Sequence, residues 1–236
     1  MDAAPVLSLL SAGAAKGLVE ALQQRLSAAT GARLEARFGA VGAMKEALLG
    51  GAPCDVMLST DAVLEELVAS GEVGGAPRAA LGRVRTGIAV RDGDSTPAVD
   101  TPEALRDALL AADRIYFPDA ERSTAGIHFA SVLRRLGLRE QLAGRLATFP
   151  NGATAMREMA AGHDRRPIGC TQVTEIRYTP GVRLVGALPR EFELTTLYGA
   201  AVAARAADPQ RAARFIALLA GEDTRDLRRG GGFELD

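Results

Sequence analysis

Polar side chains that could hold a carboxylate recur in the second half of the sequence. They are Arg122, Ser123 and Thr124 before one helical pattern, Asn151 before the next, and Thr171 and Gln172 at the end of a strand-like run. Arginine pairs with a carboxylate through two parallel hydrogen bonds, and hydroxyl and amide donors can complete such a site. Arg85, on an earlier strand-like run, could add a second guanidinium. The set suits a di- or tricarboxylate better than a tetrahedral oxyanion.

His128 is the residue of this region that could move a proton. We expect it in the first turn of the helix that follows Thr124, and an imidazole titrates close to neutral pH. Each candidate also has a structural interpretation that the sequence leaves open. Those interpretations are a packed histidine for His128, a surface residue for Arg122, an N-cap for Ser123 or Thr124, turn chemistry for Asn151 and an ion pair for Arg85.

Small residues occupy four junctions between a strand-like run and a helical one. The junctions read SAG at 11–13, AVG at 40–42, TAG at 124–126 and NGA at 151–153. Helix N-termini carry unpaired N–H groups and a partial positive charge, and small side chains let an anion approach them. The four junctions therefore predict an anion site built largely from backbone N–H groups. Its candidate residues outside the polar set are Ser11, Gly13, Ala40, Val41 and Ala125.

Short apolar runs alternate with amphipathic stretches along the whole chain, which is typical of an α/β fold with a mostly parallel sheet. The predicted strands are 6–10, 33–38, 55–59, 83–90, 115–117, 168–171, 182–185 and 197–204. Helix starts are marked by Thr101 followed by Pro102, and helix ends by Gly31 and Gly137. In such sheets the ligand lies at the carboxyl ends of the strands.

Several segments, taken in order, resemble bacterial molybdate-binding proteins. They are FGAVGAM at 38–44, GGAPCDV at 50–56, STD at 59–61, AGI at 125–127, IG at 168–169 and LY at 197–198. The resemblance implies the type II periplasmic binding-protein fold, with two α/β lobes and a ligand cleft between them. By analogy, one lobe holds residues 1–85 plus 195–236 and the other holds 86–194.

The sequence departs from that family at the ligand. Molybdate-binding proteins use a serine hydroxyl at each of the first two junctions. Here those positions fall on Gly13 or Ser11 and on Ala40 or Val41, whereas the family's tyrosine near the second crossover has a counterpart in Tyr198. A lost hydrogen bond to a charged group weakens binding about tenfold or more. We therefore expect the fold to carry over and the molybdate specificity not to.

Two functions remain in competition. The first is a solute-binding protein that delivers a small carboxylate or oxyanion to an ABC transporter permease. The second follows from proteins similar to this family that isomerise unsaturated polycarboxylates, notably aconitate isomerase. There His128 would be the general acid/base, with Arg85, Arg122 and Ser123 or Thr124 as anion clamps. A ligand-sensing domain is a third possibility. An ordinary Rossmann enzyme is a weaker alternative still, because no GxGxxG motif follows the first strand.

Composition limits the partners. The net charge of -1 argues against a nucleic-acid surface, and no apolar stretch is long enough to span a membrane. No cofactor or metal is expected, because the two histidines and two cysteines follow no ligand spacing, and we expect a monomer. The first five residues lack a basic signal-peptide region. The expected location is therefore periplasmic if a signal was removed and cytoplasmic otherwise.

Overall fold

The computed structural model describes residues 4–235, so the start at residues 1–3 lies outside the described part. Two compact units divide the chain: unit 1 runs up to Arg83 and resumes at Thr196, and unit 2 is Val84–Thr195. The strands and helices are, in chain order, β1 (Val6–Ala12), α1 (Lys16–Thr30), β2 (Arg33–Gly39), α2 (Val41–Leu49), β3 (Val56–Thr60), α3 (Asp61–Ala69), β4 (Val73–Arg91), α4 (Pro102–Ala111), β5 (Arg114–Pro118), α5 (Thr124–Arg135), β6 (Leu146–Phe149), α6 (Gly152–Ala161), β7 (Pro167–Gln172), α7 (Val173–Arg177), β8 (Val182–Ala187), β9 (Thr195–Ala203), α8 (Pro209–Ala220) and α9 (Arg225–Gly231).

Unit 1 is built on the strand order β2-β1-β3-β9, with the first half of β4 beside β9. β1 runs parallel to β2 and β3, whereas β9 is antiparallel to β3. Leu10 and Met57 pack with Met44 of α2 and Leu64 of α3 on one face of the sheet. α1 ends at Gly31, whose φ of 65° is the left-handed conformation that glycine adopts most readily at a helix end.

Unit 2 is built on the order β8-β4-β7-β5-β6, in which β5 is parallel to both β6 and β7. Its sheet is covered on both faces, because alternate residues of β5 enter different cores. Ile115 and Phe117 pack with Phe129 of α5, whereas Tyr116 packs with Met156 of α6. The parallel arrangement brings the carboxyl ends of β5, β6 and β7 to one edge of this sheet.

The α/β class is confirmed, and every predicted strand is present. Three elements were not predicted: β6, α7 and the first half of β4. Gly74, Gly75 and Pro77 interrupt the apolar alternation of β4, so its start looked like a loop. Within residues 4–235, none of the helices combines the length and apolar character that crossing a membrane requires.

Candidate functional site

The start of α5 presents small residues and a free cap position at the strand ends of unit 2. Ser123 is the N-cap residue of α5 and is 8% exposed, but its hydroxyl makes no capping hydrogen bond. Thr124 and Ala125 open the first turn. Gly126 is held so close to the end of β5 that an added Cβ would lie 2.7 Å from the carbonyl carbon of Asp119. The first N–H groups of α5 are therefore fixed against the strand end.

The loop before α5 is organised by a carboxylate. Asp119 Oδ1 accepts hydrogen bonds from the backbone N–H groups of Glu121 and Arg122, at 2.8 and 2.9 Å. The backbone of Arg122 is thus fixed while the residue itself is exposed.

Asn151, for which the sequence left turn chemistry open, caps a helix. It is the N-cap of α6, and its Oδ1 accepts from the N–H of Thr154 at 2.9 Å. One side-chain oxygen is therefore already committed to the helix. Only the amide nitrogen of Asn151 remains as a donor.

The side chain of Thr171 contacts a buried acidic residue that the sequence analysis did not single out. Its Oγ1 donates to Glu175 Oε2 at 2.5 Å, inside unit 2. The Glu175 carboxyl also accepts from the backbone N–H groups of Gly152, Ala153 and Gln172. Burial raises the pKa of Glu175 above its ordinary value, and these four donors act in the opposite direction. A carboxyl group thus occupies the N-terminus of α6.

Gln172 is a buried amide without a hydrogen-bond partner among the described residues. The residue is 3% exposed, and neither its Nε2 nor its Oε1 has a hydrogen-bond partner among the described residues. Thr86 on β4 lies directly opposite Gln172 in the antiparallel register and is 1% exposed. Its Oγ1 also has no hydrogen-bond partner among the described residues. Opposed residues of an antiparallel pair project to the same face of the sheet. Two polar side chains thus lie together at the end of β7.

These two side chains continue the face of the sheet that α5 covers. Cys170 lies two residues before Gln172 and Ile88 lies two residues after Thr86, and both belong to the core that contains Phe129 of α5. Beyond that apolar layer, Gln172 and Thr86 lie toward the strand ends, where α5 begins. The amide and the threonine hydroxyl therefore lie on the face of the unit 2 sheet that α5 covers, near its strand ends.

Arg85 and His128 have partners at the border of this region. Arg85 Nε is 3.9 Å from Glu193 Oε1, with the arginine side chain 42% exposed. His128 Nε2 lies 2.7 Å from the carbonyl oxygen of Phe192. His128 is the fifth residue of α5, so its predicted place in the first turn is wrong: the helix begins at Thr124 and His128 lies in the second turn.

The first junction of unit 1 is less suited to binding an anion through side chains. Ser11 is completely buried within β1, and its Oγ donates to the carbonyl oxygen of Ala12 at 3.0 Å. Gly13 begins a single 3-10 turn before α1, and the N-cap residue Ala15 makes no side-chain bond. The first turn therefore offers backbone N–H groups alone.

The second junction of unit 1 repeats that pattern, whereas at the third the Oγ1 of Thr60 caps α3 by accepting from the N–H of Val63. Ala40 is the N-cap of α2 and Val41 its first residue, again without a side-chain cap. Tyr198 is 2% exposed and pairs with Thr60 in the β3–β9 register. Next to Thr60, the hydroxyl of Ser59 is fully buried and has no hydrogen-bond partner among residues 4–235. Ser59 is thus a further polar group at a strand end.

Sequence reasoning missed Glu175, Thr86 and Ser59. The spacing of Thr171 and Glu175, four residues apart across a strand–helix junction, was visible, but nothing in the sequence links them to Gly152. No cluster of three or more histidine, cysteine, aspartate or glutamate side chains in the described chain could hold a metal ion. Cys54 and Cys170 are both buried free thiols.

Two α/β units with polar groups and helix N-termini at their strand ends define a solute-binding protein of the type II periplasmic class. The chain belongs to the family described as bacterial extracellular solute-binding protein, which it matches over residues 7–234. A curated relative, aconitate isomerase from Pseudomonas sp, is 28% identical over 226 residues, which are 92% of this chain and 83% of the relative.

Solved structures share the fold at low identity. The periplasmic molybdate-binding protein of Azotobacter vinelandii superposes with a TM-score of 0.79 at 18% identity, covering 98% of this chain and 99% of that one. PEB3 bound to L-phospholactate superposes with a TM-score of 0.69 at 14% identity, covering 98% of this chain and all of PEB3. These likenesses show the fold alone.

Proposed function

We propose that the chain is a solute-binding protein for a small organic anion that carries two or more carboxylates. The observation that carries this proposal is the Gln172 amide, buried at the end of β7 with neither polar atom partnered within the described residues. A buried polar group without a partner costs about 1–3 kcal/mol. A ligand that forms hydrogen bonds with both polar atoms of the amide would remove this cost, which explains why a glutamine is found at this buried position.

The amide also discriminates between classes of anion. Its Nε2 donates and its Oε1 accepts, so full satisfaction needs a ligand with both an acceptor and a donor. Molybdate and sulfate dianions carry no hydrogen and can only accept. A hydroxycarboxylate, or a polycarboxylate with one protonated carboxyl, offers both. The first turn of α5, the uncommitted hydroxyl of Ser123 and the guanidinium of Arg122 supply further donors.

The comparisons support an organic anion. The curated relative is named for aconitate, a tricarboxylate, and PEB3 was solved with L-phospholactate, which carries a carboxylate and a phosphate. We further propose that the protein acts as a monomer outside the cytoplasmic membrane and delivers its ligand to an ABC transporter permease. Light scattering of the purified chain and fractionation of cells that express the natural gene test these two points.

The binding experiment compares wild type with Gln172→Met and with Gln141→Met. Methionine has a similar volume but forms no comparable hydrogen bonds, and Gln141 is exposed in the same unit. Calorimetric titrations with citrate, trans-aconitate, sulfate and molybdate should show binding of the carboxylates by wild type. Gln172→Met should raise their Kd at least about tenfold, since hydrogen bonds to charged groups contribute about 1.5–3 kcal/mol.

Gln141→Met should bind as wild type does. Binding of molybdate without any carboxylate, or equal carboxylate affinity in all three proteins, would refute the proposal. Thr86→Val provides a second check, because it removes the hydroxyl opposite Gln172 and keeps the shape of the side chain. It should also weaken carboxylate binding.

A second candidate function, isomerisation of an unsaturated polycarboxylate, is favoured by the match to aconitate isomerase. Moving the double bond requires removal of a proton from one carbon and its return at another. The Phe192 carbonyl 2.7 Å from His128 can only accept, so Nε2 carries the hydrogen and Nδ1 is the ring atom left to exchange a proton. His128 is then the acid/base group, with Arg85 and Arg122 as the anion clamps.

The isomerase test follows the ultraviolet absorbance of cis-aconitate with micromolar protein. Steady conversion to the trans isomer by wild type, lost in His128→Ala while calorimetric binding persists, would support catalysis. No conversion by wild type, or full conversion by His128→Ala, would contradict this second candidate. The binding proposal does not depend on either result.

A further inference from the structure

Unit 1 contains a cavity of about 220 Å³ with four charged residues in its wall. The wall includes Arg83 of β4, Leu197 of β9, Arg225 and Arg228 of α9, and Glu234. All of these residues belong to unit 1, and none of them belongs to the polar set proposed to bind the carboxylate. A single water molecule needs only about 10–15 Å³, so the cavity has room for a small ligand.

Arg228 is the buried cation of this cavity, with 6% of the residue exposed. Its Nη1 donates to the carbonyl oxygen of Leu81 at 2.9 Å, and its Nη2 donates to those of Ala220 and Gly221 at 2.8 and 3.0 Å. Two of these carbonyls end α8, so the terminal nitrogens have a structural role. The Nε is also buried, but it has no hydrogen-bond partner among residues 4–235. A donor of a residue in the cavity wall is therefore left unsatisfied.

The charge of Arg228 is also incompletely compensated. Burial lowers the pKa of Arg228; Glu222 opposes this effect and Arg225 adds to it. Arginine nevertheless stays protonated at neutral pH, so the folded protein holds a poorly solvated cation at this position. An anion bound in the cavity would supply both a counter-charge and an acceptor for Nε.

Arg83 brings a second guanidinium group to the same cavity. Its backbone is fixed, because its N–H donates to the carbonyl oxygen of Glu234 at 2.8 Å and its own carbonyl oxygen accepts from the Glu234 N–H at 2.7 Å. The residue is exposed, so its side chain can reach solvent and a ligand in the cavity alike. The strand β4 and the helix α9 thus each contribute an arginine to this wall.

Positive groups outnumber negative ones around the cavity. Three arginines line it with Glu234, and Glu222 pairs with Arg225 at 3.2 Å. Even with both carboxylates counted, these described residues leave one positive charge in excess. We infer that the cavity is a second ligand site, which binds a phosphate group through Arg83 and Arg228. A tetrahedral phosphate offers acceptor oxygens in several directions, so it can accept from guanidinium groups on a strand and on a helix at once.

The test is a calorimetric titration with inorganic phosphate at low ionic strength, where a partly exposed site is least screened. Wild type is compared with Arg83→Gln, which removes an exposed charge and keeps the backbone bonds to Glu234. Arg214→Gln is the matched control, since Arg214 is exposed on α8, lies outside the cavity wall and carries the same charge. Wild type should bind phosphate, and Arg83→Gln should raise the Kd at least about tenfold. Arg214→Gln should bind as wild type does.

Arg228→Lys is a second variant, because it keeps the positive charge and removes the Nε donor. It should also raise the Kd for phosphate; if it does not fold, Arg83→Gln alone decides. No phosphate binding by wild type, or an equal Kd in wild type and Arg83→Gln, overturns the inference. Glycerol phosphate is titrated alongside: a lower Kd than that of inorganic phosphate identifies a phosphate monoester as the ligand, and a higher one identifies the free ion.

Gln172→Met separates this inference from the proposed function, on which it does not depend. Phosphate binding should be unchanged in Gln172→Met, and its loss there but not in Arg83→Gln would assign phosphate to the carboxylate site and overturn the inference. If citrate binds and phosphate does not, the proposed function stands alone. If Arg83→Gln weakens phosphate binding in a protein that binds no carboxylate, the second site stands and the proposed function is refuted.

Discussion

Replacing Gly152 by alanine should destabilise unit 2 more than most single substitutions. The new methyl group would overlap Thr171 Oγ1 and lie 2.6 Å from Glu175 Cδ, where ordinary carbon–carbon contacts are about 3.5–4.0 Å. Neither neighbour can swing into solvent, because Thr171 is fully buried and Glu175 is 6% exposed. The carboxylate must therefore leave the start of α6.

The size of the loss follows from those contacts. Overpacking a tight site costs about 1–3 kcal/mol. Displacing the carboxylate weakens hydrogen bonds to a charged group, each contributing about 1.5–3 kcal/mol. Better helix propensity returns at most about 1 kcal/mol. We expect a net loss of about 3 kcal/mol or more in the free energy of unfolding.

Urea unfolding, followed by circular dichroism and by segment-resolved hydrogen exchange, measures this loss and assigns it to unit 2. Gly144→Ala is the matched control, since Gly144 is in the same unit, has open space around its Cβ position and needs no positive φ. It should change stability by less than about 0.5 kcal/mol. A Gly152→Ala protein as stable as the control would refute the close contact between Glu175 and α6.

Three further outcomes are expected. Burial, with a hydrogen bond to Asp164, raises the pKa of Tyr116 from 10.0 to about 12, and burial raises that of Cys54 from 9.0 to about 11. The unfolded chain loses these protons first, so urea midpoints measured from pH 8 to 12 should fall above about pH 9. Cys54 and Cys170, both buried, should react with a thiol reagent at pH 8 only after unfolding. Thr101→Ala should lower the unfolding free energy by about 1 kcal/mol, because Thr101 caps α4.

The order and type of most elements could be predicted because the local signals agreed with the fold. Thr101 and Pro102 started α4 as expected, and Gly31 ended α1 in the left-handed conformation that its position suggested. Short strands such as Ile168–Thr171 were visible because buried parallel strands are apolar throughout. β6 was missed because only four residues form it and just one is buried.

The site could be predicted only as a set of residues near strand ends. The roles of Asn151 and Thr171 depend on partners that the fold supplies: Asn151 caps α6, and Thr171 donates to Glu175. Gly152 and Glu175 are separated by 23 positions, and no local pattern relates them. Gln172 was a candidate from the sequence, but the lack of a partner for its amide becomes visible only when the surrounding backbone is in place.

The same amide allows binding and folding to be separated in one substitution. If Gln172 is kept for a ligand, its unpartnered polar atoms cost the folded protein about 1–3 kcal/mol. Gln172→Met should therefore leave the unliganded protein as stable as wild type or raise its urea midpoint, while carboxylate binding falls. Gln141→Met, exposed in the same unit, should change neither quantity. A loss of more than about 1 kcal/mol in unliganded Gln172→Met would mean that the amide holds the fold together, and the carboxylate site would lose its main support.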